Sequence, residues 1–174
     1  MSTGEIIISS VLTSFSASLL FFLMMALFRP RMKLSTQIAS HWQQQLKQTV
    51  FQVKLYNRSW IPAIDIKVEA ILVDRQHHNH GILLHTTELK FVRCEISKLN
   101  GFRSGDKEAK YAWRMTVLDD LSAMWTSPTQ YLELTVKARH PWSGFPRWFI
   151  NKYYLDTNPI VPGRFKTGKS MDIV

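Results

Sequence analysis

One cysteine, Cys94, stands in 174 residues, so the chain cannot close an internal disulfide. That excludes a small secreted domain stapled by disulfides. Acidic residues are also few: 13 Asp and Glu face 22 Lys and Arg, a formal charge of +9. Such a surplus favours anionic partners, whether lipid headgroups, nucleotides or nucleic acid. No internal repeat or low-complexity run occurs. No Ser/His/Asp or Cys/His arrangement is recognisable, so the reading is a non-enzyme with no catalytic residue, no metal site and no cofactor. The length suits one domain with an appendage and is tight for two.

Charge is absent altogether from Ile6 to Phe28, IIISSVLTSFSASLLFFLMMALF. As a helix this run covers roughly 34 Å, enough for a hydrocarbon core about 30 Å thick. A signal peptide would begin with basic residues, carry a shorter apolar run and end at small residues. Here the start is MSTGE and the end is Phe28-Arg29-Pro30-Arg31. The expectation is a retained transmembrane anchor over residues 1–28. Arg29, Arg31 and Lys33 follow it, while only Glu5 precedes it. Positive charge stays inside, which predicts an external N-terminus and a cytoplasmic remainder at a bacterial inner membrane. In that topology the sequon Asn57-Arg58-Ser59 goes unused.

Hydroxyls crowd the outer half of this run. Ser10, Ser14 and Ser18 make one ladder of small residues, and Ser9, Thr13 and Ala17 make another. Two readings stay open: the hydroxyls bond back to their own helix, or the ladders let copies of the helix pack closely. In the second, Ser10, Thr13, Ser14 and Ala17 face the axis of a bundle, and Leu20 or Leu23 forms a dry constriction.

Leu34, Ile38, Trp42 and Leu46 recur every four residues, which predicts a short amphipathic linker helix over 29–48, with Trp42 at headgroup depth. A stalk packing on its copies and a helix docked on the next domain are the rivals. Beyond Gln48 the period falls to two. Strands are expected at Phe51–Leu55, Ile64–Val68, Ile82–Thr86, Glu88–Ile96, Ala112–Leu118, Tyr131–Ala138 and Ile150–Asp156, separated by turn-forming stretches at 77–81, 100–108, 126–130 and 140–144. Seven such strands over 49–165 point to an antiparallel immunoglobulin-like β-sandwich. A flexible basic tail over 166–174 follows, and Asp119–Trp125 reads as a short helical turn with an Asp cap.

Gly163 to Ser170 spells G-R-F-K-T-G-K-S, the pattern of a phosphate-binding loop. Such a loop works by joining a buried strand to a helix whose N-terminus holds phosphate. Only Met171 to Val174 follow, too few for that helix, so the match is set aside. His77, His78, His80 and His85 fit a solvated hairpin tip better than a metal site. Cys94 falls within a strand pattern and is expected to be packed. Among the basic residues, Lys137, Arg139, Arg147 and Lys152 in the late strands and Arg164 and Lys166 near the end are the candidate contacts to an anionic ligand. Aromatics interleave with them, a mixture that suits stacked bases and also an ordinary basic surface near anionic lipid.

Two stretches, VFQVKLYNRSWIPAIDIKVEAILV at 50–73 and YLELTVKARHPWSGFPRWFINKYYLDTNPIVPGRF at 131–165, resemble the cytoplasmic immunoglobulin-like domain of inward-rectifier potassium channels. In the first, a strand leads to Asn57 at a turn and then a long alternating strand. In the second, T-V-K-A closes a strand, followed by a Gly-bearing turn and a Tyr-bearing strand. That family has two membrane helices and a T-V-G-Y-G-type filter, neither of which is present here. The resemblance implies a β domain that assembles as a homotetramer under the membrane and senses an anionic ligand. The layout of one anchor and one β domain is similar to membrane effectors of bacterial anti-phage systems, such as the Hailong effector. The implied protein is an oligomeric, pore-forming or membrane-perturbing effector, with lipids, copies of itself and a nucleotide or short single-stranded nucleic acid as partners. The alternative is a membrane-tethered adaptor that holds a partner protein and conducts nothing.

Overall fold

The computed structural model describes residues 3–27, 29–79 and 81–174, without the side chains at 3, 5–7, 9, 26, 27, 77 and 78. A long helix, α1 (Thr3–Leu27), opens the chain. Its described side chains are nearly all exposed, among them Leu12, Phe15, Leu20 and Phe21. Counting described residues only, no helix is long and apolar enough to cross a membrane. In α1 the described side chains run unbroken only over 10–25.

The remainder is mainly β, in two five-stranded sheets. The first holds β1 (Met32–Leu34), β2 (Ile38–Gln43), β3 (Gln48–Asn57), β7 (Ala112–Val117) and β10 (Ile160–Pro162). β3 is its spine: β2 and β1 lie end to end along one edge and β7 along the other. β10 adds to β2 in parallel, the one parallel pairing among the described strands. The second sheet holds β4 (Ala63–His78), β5 (Gly81–Glu88), β6 (Glu95–Leu99), β8 (Gln130–Arg139) and β9 (Pro146–Tyr154). Here β4 is the spine, with β5 and β6 on one edge and β8, then β9, on the other.

Alternation explains the pairing of the sheets. Phe51, Val53 and Leu55 of β3 and Met115 and Val117 of β7 turn to one side. Ile66, Val68, Ala70 and Leu72 of β4 meet them with Leu132, Leu134 and Val136 of β8, all buried in one cluster. Apart from Ala70, each such side chain contributes about 1.5–3 kcal/mol of burial. Tyr153 of β9 reaches across, and its hydroxyl donates to the Ser35 carbonyl at 2.7 Å.

Several expectations need correction. Residues 29–48 form no linker helix: Leu34 ends β1, Ile38 starts β2, Trp42 lies in β2 and Leu46 sits in the turn before β3. A spacing of four is also twice two, so strands broken by a turn mimic a helical stripe. The strand expected at Glu88–Ile96 starts only at Glu95, and Cys94 is exposed outside it. The last long strand begins at Pro146 rather than Ile150. The helical turn is Leu121–Met124, capped by Asp120, whose side chain accepts from the Ser122 N–H. The tail is not loose: Arg164 and Val174 exchange backbone hydrogen bonds, Lys166 N donates to Asp172 O, and Phe165 is buried. Of the histidine turn, the side chains of His77 and His78 and all of His80 lie outside the described residues. Asn57 of the sequon is buried, its amide donating to Ile61 O and Asn100 O.

Candidate anion-binding cleft

The outward face of the first sheet follows from its register. Residues opposite each other in an antiparallel pair share a face. Gln52 stands opposite Ala39 on one side and Thr116 on the other, Lys54 opposite Arg114, and His41 opposite Val50. These side chains therefore point away from the core shared with the second sheet.

Lys54 is the unusual member, only 1 % exposed. Its ammonium donates to the carbonyls of Lys166 and, at 2.7 Å, of Ser170. A buried cation needs such acceptors. The C-terminal segment is thus laid over the sheet because Lys54 demands its backbone oxygens. Arg114 Nη2 donates to Thr167 Oγ1 on the same segment at 3.2 Å. Burial, with the positive charge of Arg114 second, lowers the Lys54 pKa to about 8, against the pull of Asp172.

Beside this segment opens a cleft of about 610 Å³, lined by His41, Trp42, Gln52, Arg114, Thr116, Arg164 and the glutamines of the β2–β3 turn. No carboxylate lines it. Neither guanidinium takes part in an ion pair among the described residues. Gln52 Nε2 donates to Thr116 Oγ1 at 3.1 Å, fixing the floor. His41 Nδ1 is buried without a hydrogen-bond partner. Its pKa is lowered first by burial, then by the charges of Arg164 and Arg114. Trp42 is 58 % exposed at the rim. The volume suits a small ligand. Two forked cations and an unpartnered imidazole nitrogen suit one that carries negative charge.

The six basic residues expected to bind an anion do not converge. Lys137, Arg139, Arg147 and Lys152 lie on the second sheet, and Arg164 and Lys166 on the segment over the first. Arg139 pairs with Asp65 at 3.6 Å, Lys152 with Glu133 at 3.0 Å and Lys166 with Asp172 at 3.7 Å. Lys137 lies over the Trp148 ring at 4.8 Å, and Arg147 donates to Pro30 O at 3.2 Å. Only Arg164 enters the carboxylate-free cleft. Arg114, His41, Trp42 and Gln52 were not among the expected contacts, because strand pairing, which a sequence pattern does not reveal, brings them together. Trp42, expected at headgroup depth, lines this cleft instead. The expected pore-lining residues Ser10, Thr13, Ser14, Ala17 and Leu20 are all exposed on α1. Ser18 Oγ donates to the Ser14 carbonyl at 2.9 Å, one turn back. No protein-family model matches the chain, and no curated protein matches it.

Proposed function

We propose that the chain is a homo-oligomeric, single-pass inner-membrane protein whose α1 helices bundle into a pore or membrane-perturbing element. Its immunoglobulin-like head lies on the cytoplasmic side, and an anionic ligand in the Arg114–Arg164 cleft sets the open state against the closed one. A nucleotide or short single-stranded nucleic acid is the ligand this chemistry favours, and anti-phage defence is the setting that the layout implies.

The observation that carries this reading is α1 itself. Val11, Leu12, Phe15, Leu19, Leu20 and Phe22 are all exposed, which water does not tolerate around one helix. Lipid and neighbouring copies relieve that exposure together. Repetition around a symmetric ring turns one modest cationic cleft into several, so a multivalent anion binds more tightly than one site allows.

The test is Ser10→Leu with Ser14→Leu in the full chain. Lost oligomerisation and lost leakage of dye-loaded vesicles support the bundle; persistence of both refutes it. A tether that conducts nothing is the second reading. Ser18, whose hydroxyl donates to the Ser14 carbonyl one turn back, fits it. A mass near one chain in mild detergent decides for it.

A further inference from the structure

The chain leaves α1 through Arg29, Pro30 and Arg31, and two turns of the β domain close around that exit. Arg58 N, after β3, donates to Arg31 O at 2.6 Å. Arg147, at the start of β9, donates to Pro30 O. Phe145, just before it, meets Phe22 of α1 edge-to-face at 5.9 Å. The turns 57–61 and 140–145 therefore sit at the end of the domain from which the helix departs.

Each turn carries a tryptophan far into solvent: Trp60 is 86 % exposed and Trp142 70 %. Neither turn is slack. In the first, the buried Asn57 accepts at Oδ1 from Ser59 N and Ser59 Oγ, and its amide donates to Ile61 O. Gly101 lies so close beneath that a Cβ there would stand 1.9 Å from the Trp60 carbonyl oxygen. In the second, the fully buried His140 accepts at Nδ1 from Ser143 N, its carbonyl accepts from Gly144 N, and its ring packs edge-on to Trp142 at 5.6 Å. Rigid turns that hold large apolar rings outward have already met the ordering cost of a contact. Arg29, Arg31 and Arg58 surround Trp60, and no carboxylate lines the cleft they share with Met24 of α1.

We infer that these two turns are a foot by which the β domain rests on the bilayer surface, with Trp60 and Trp142 in the headgroup layer. Indole rings favour that depth, where one side is apolar and the other wet. Guanidinium groups around them complement an anionic leaflet. The foot rests on the reading of α1 as a membrane anchor.

α1 contains no tryptophan, so quenching of tryptophan by brominated lipid reports on the head alone. The full chain is reconstituted in phosphatidylcholine–phosphatidylglycerol vesicles with and without brominated acyl chains. Flotation with the vesicles and fluorescence are both read. Trp60→Phe with Trp142→Phe is expected to abolish most of the lipid-dependent quenching while flotation persists, and Trp42→Phe to leave the quenching intact. Flotation with quenching unchanged by the double variant overturns the foot and spares the anchor. Failure to float overturns the anchor, and the foot with it. Unquenched tryptophans, with a changed assembly mass in the double variant, assign the turns to contacts between copies and also refute the foot.

Discussion

The outer faces of the two sheets are built from the same residue types and end in opposite electrostatic states. On the second sheet four cations are answered. Arg139 has Asp65, Lys67 has Glu95 at 2.6 Å and Lys152 has Glu133, while Lys137 lies over Trp148. On the first sheet Arg114 and Arg164 line a cleft without a carboxylate, and beneath them Lys54 is satisfied only by carbonyl oxygens. Surface ion pairs contribute little to stability, but they do consume the field that an anionic ligand would feel. Counting positive residues therefore misleads; what matters is which of them remain unanswered.

Removing the unanswered pair is the harshest test of that difference. Arg114→Ala with Arg164→Ala should weaken binding of a short single-stranded oligonucleotide by about a hundredfold or more, since hydrogen bonds to charged groups contribute roughly 1.5–3 kcal/mol each. Lys137→Ala with Arg139→Ala should change it by less than about threefold, because those cations are already engaged. Fluorescence anisotropy on the full chain in detergent reads both. Equal losses from the two double variants would erase the distinction between the faces.

The sequence exposes one of these faces more readily than the other, for a physical reason. Strict alternation in Phe51–Leu55, Ile64–Val68 and Leu132–Val136 marks strands that bury one side, and strands lie there, although β4 runs on to His78, well past the expected end. The hairpin of β4 and β5 and the capped turn after Asp120 are also local, with His78 paired to Gly81 and Asp120 bonded to Ser122. Residues 29–48 fail because Leu34, Ile38, Trp42 and Leu46 sit on two short strands and a turn, and four-residue spacing fits either period. The cleft fails because it joins residue 41 to 52, 114 and 164. Local patterning carries no information on which strands become neighbours. The tail's order is hidden likewise: it depends on one lysine more than a hundred residues upstream, which alternation places outward but does not mark as buried.

Lys54 gives the next largest effect, and it tests the first face without any ligand. Its folded pKa, about 8, lies below that of a free lysine. The unfolded chain therefore binds the extra proton between pH about 8 and roughly 10.4, and stability rises with pH across that window. Lys54→Met should flatten the rise, read as the urea midpoint against pH. It should also strand the Lys166 and Ser170 carbonyls, so that trypsin cuts faster after Arg164, Lys166 or Lys169. A pH profile identical to that of the wild type would mean that burial beneath the segment does not depress the amine's pKa.

His41 should give a smaller, opposite dependence. Burial and the two arginines depress its pKa in the empty cleft. A bound anion offsets those charges and raises it, so the ligand prefers the protonated ring. Affinity for the same oligonucleotide should then rise on acidification, by up to about tenfold per unit of upward shift. His41→Gln should remove the pH dependence and leave binding at pH 8 nearly unchanged. An affinity that falls on acidification would place the anion elsewhere.

The gentlest test frees a cation on the second face. Lys152 donates to Glu133, and it also lies 5.0 Å from the centre of the Tyr131 ring, where Arg75 stands 4.7 Å away. Glu133→Gln keeps the shape and removes the charge that answers the lysine. The pair is half-exposed, so the stability change should stay below about 1 kcal/mol, seen as a small shift in the urea midpoint. If unanswered charge alone makes an anion site, this substitution should add measurable oligonucleotide binding to the Arg114→Ala, Arg164→Ala background. No gain is expected, because the open sheet around Lys152 and Arg75 lacks the buried imidazole and the walls that the cleft supplies. A gain would shift the explanation from the shape of the first face to net charge alone.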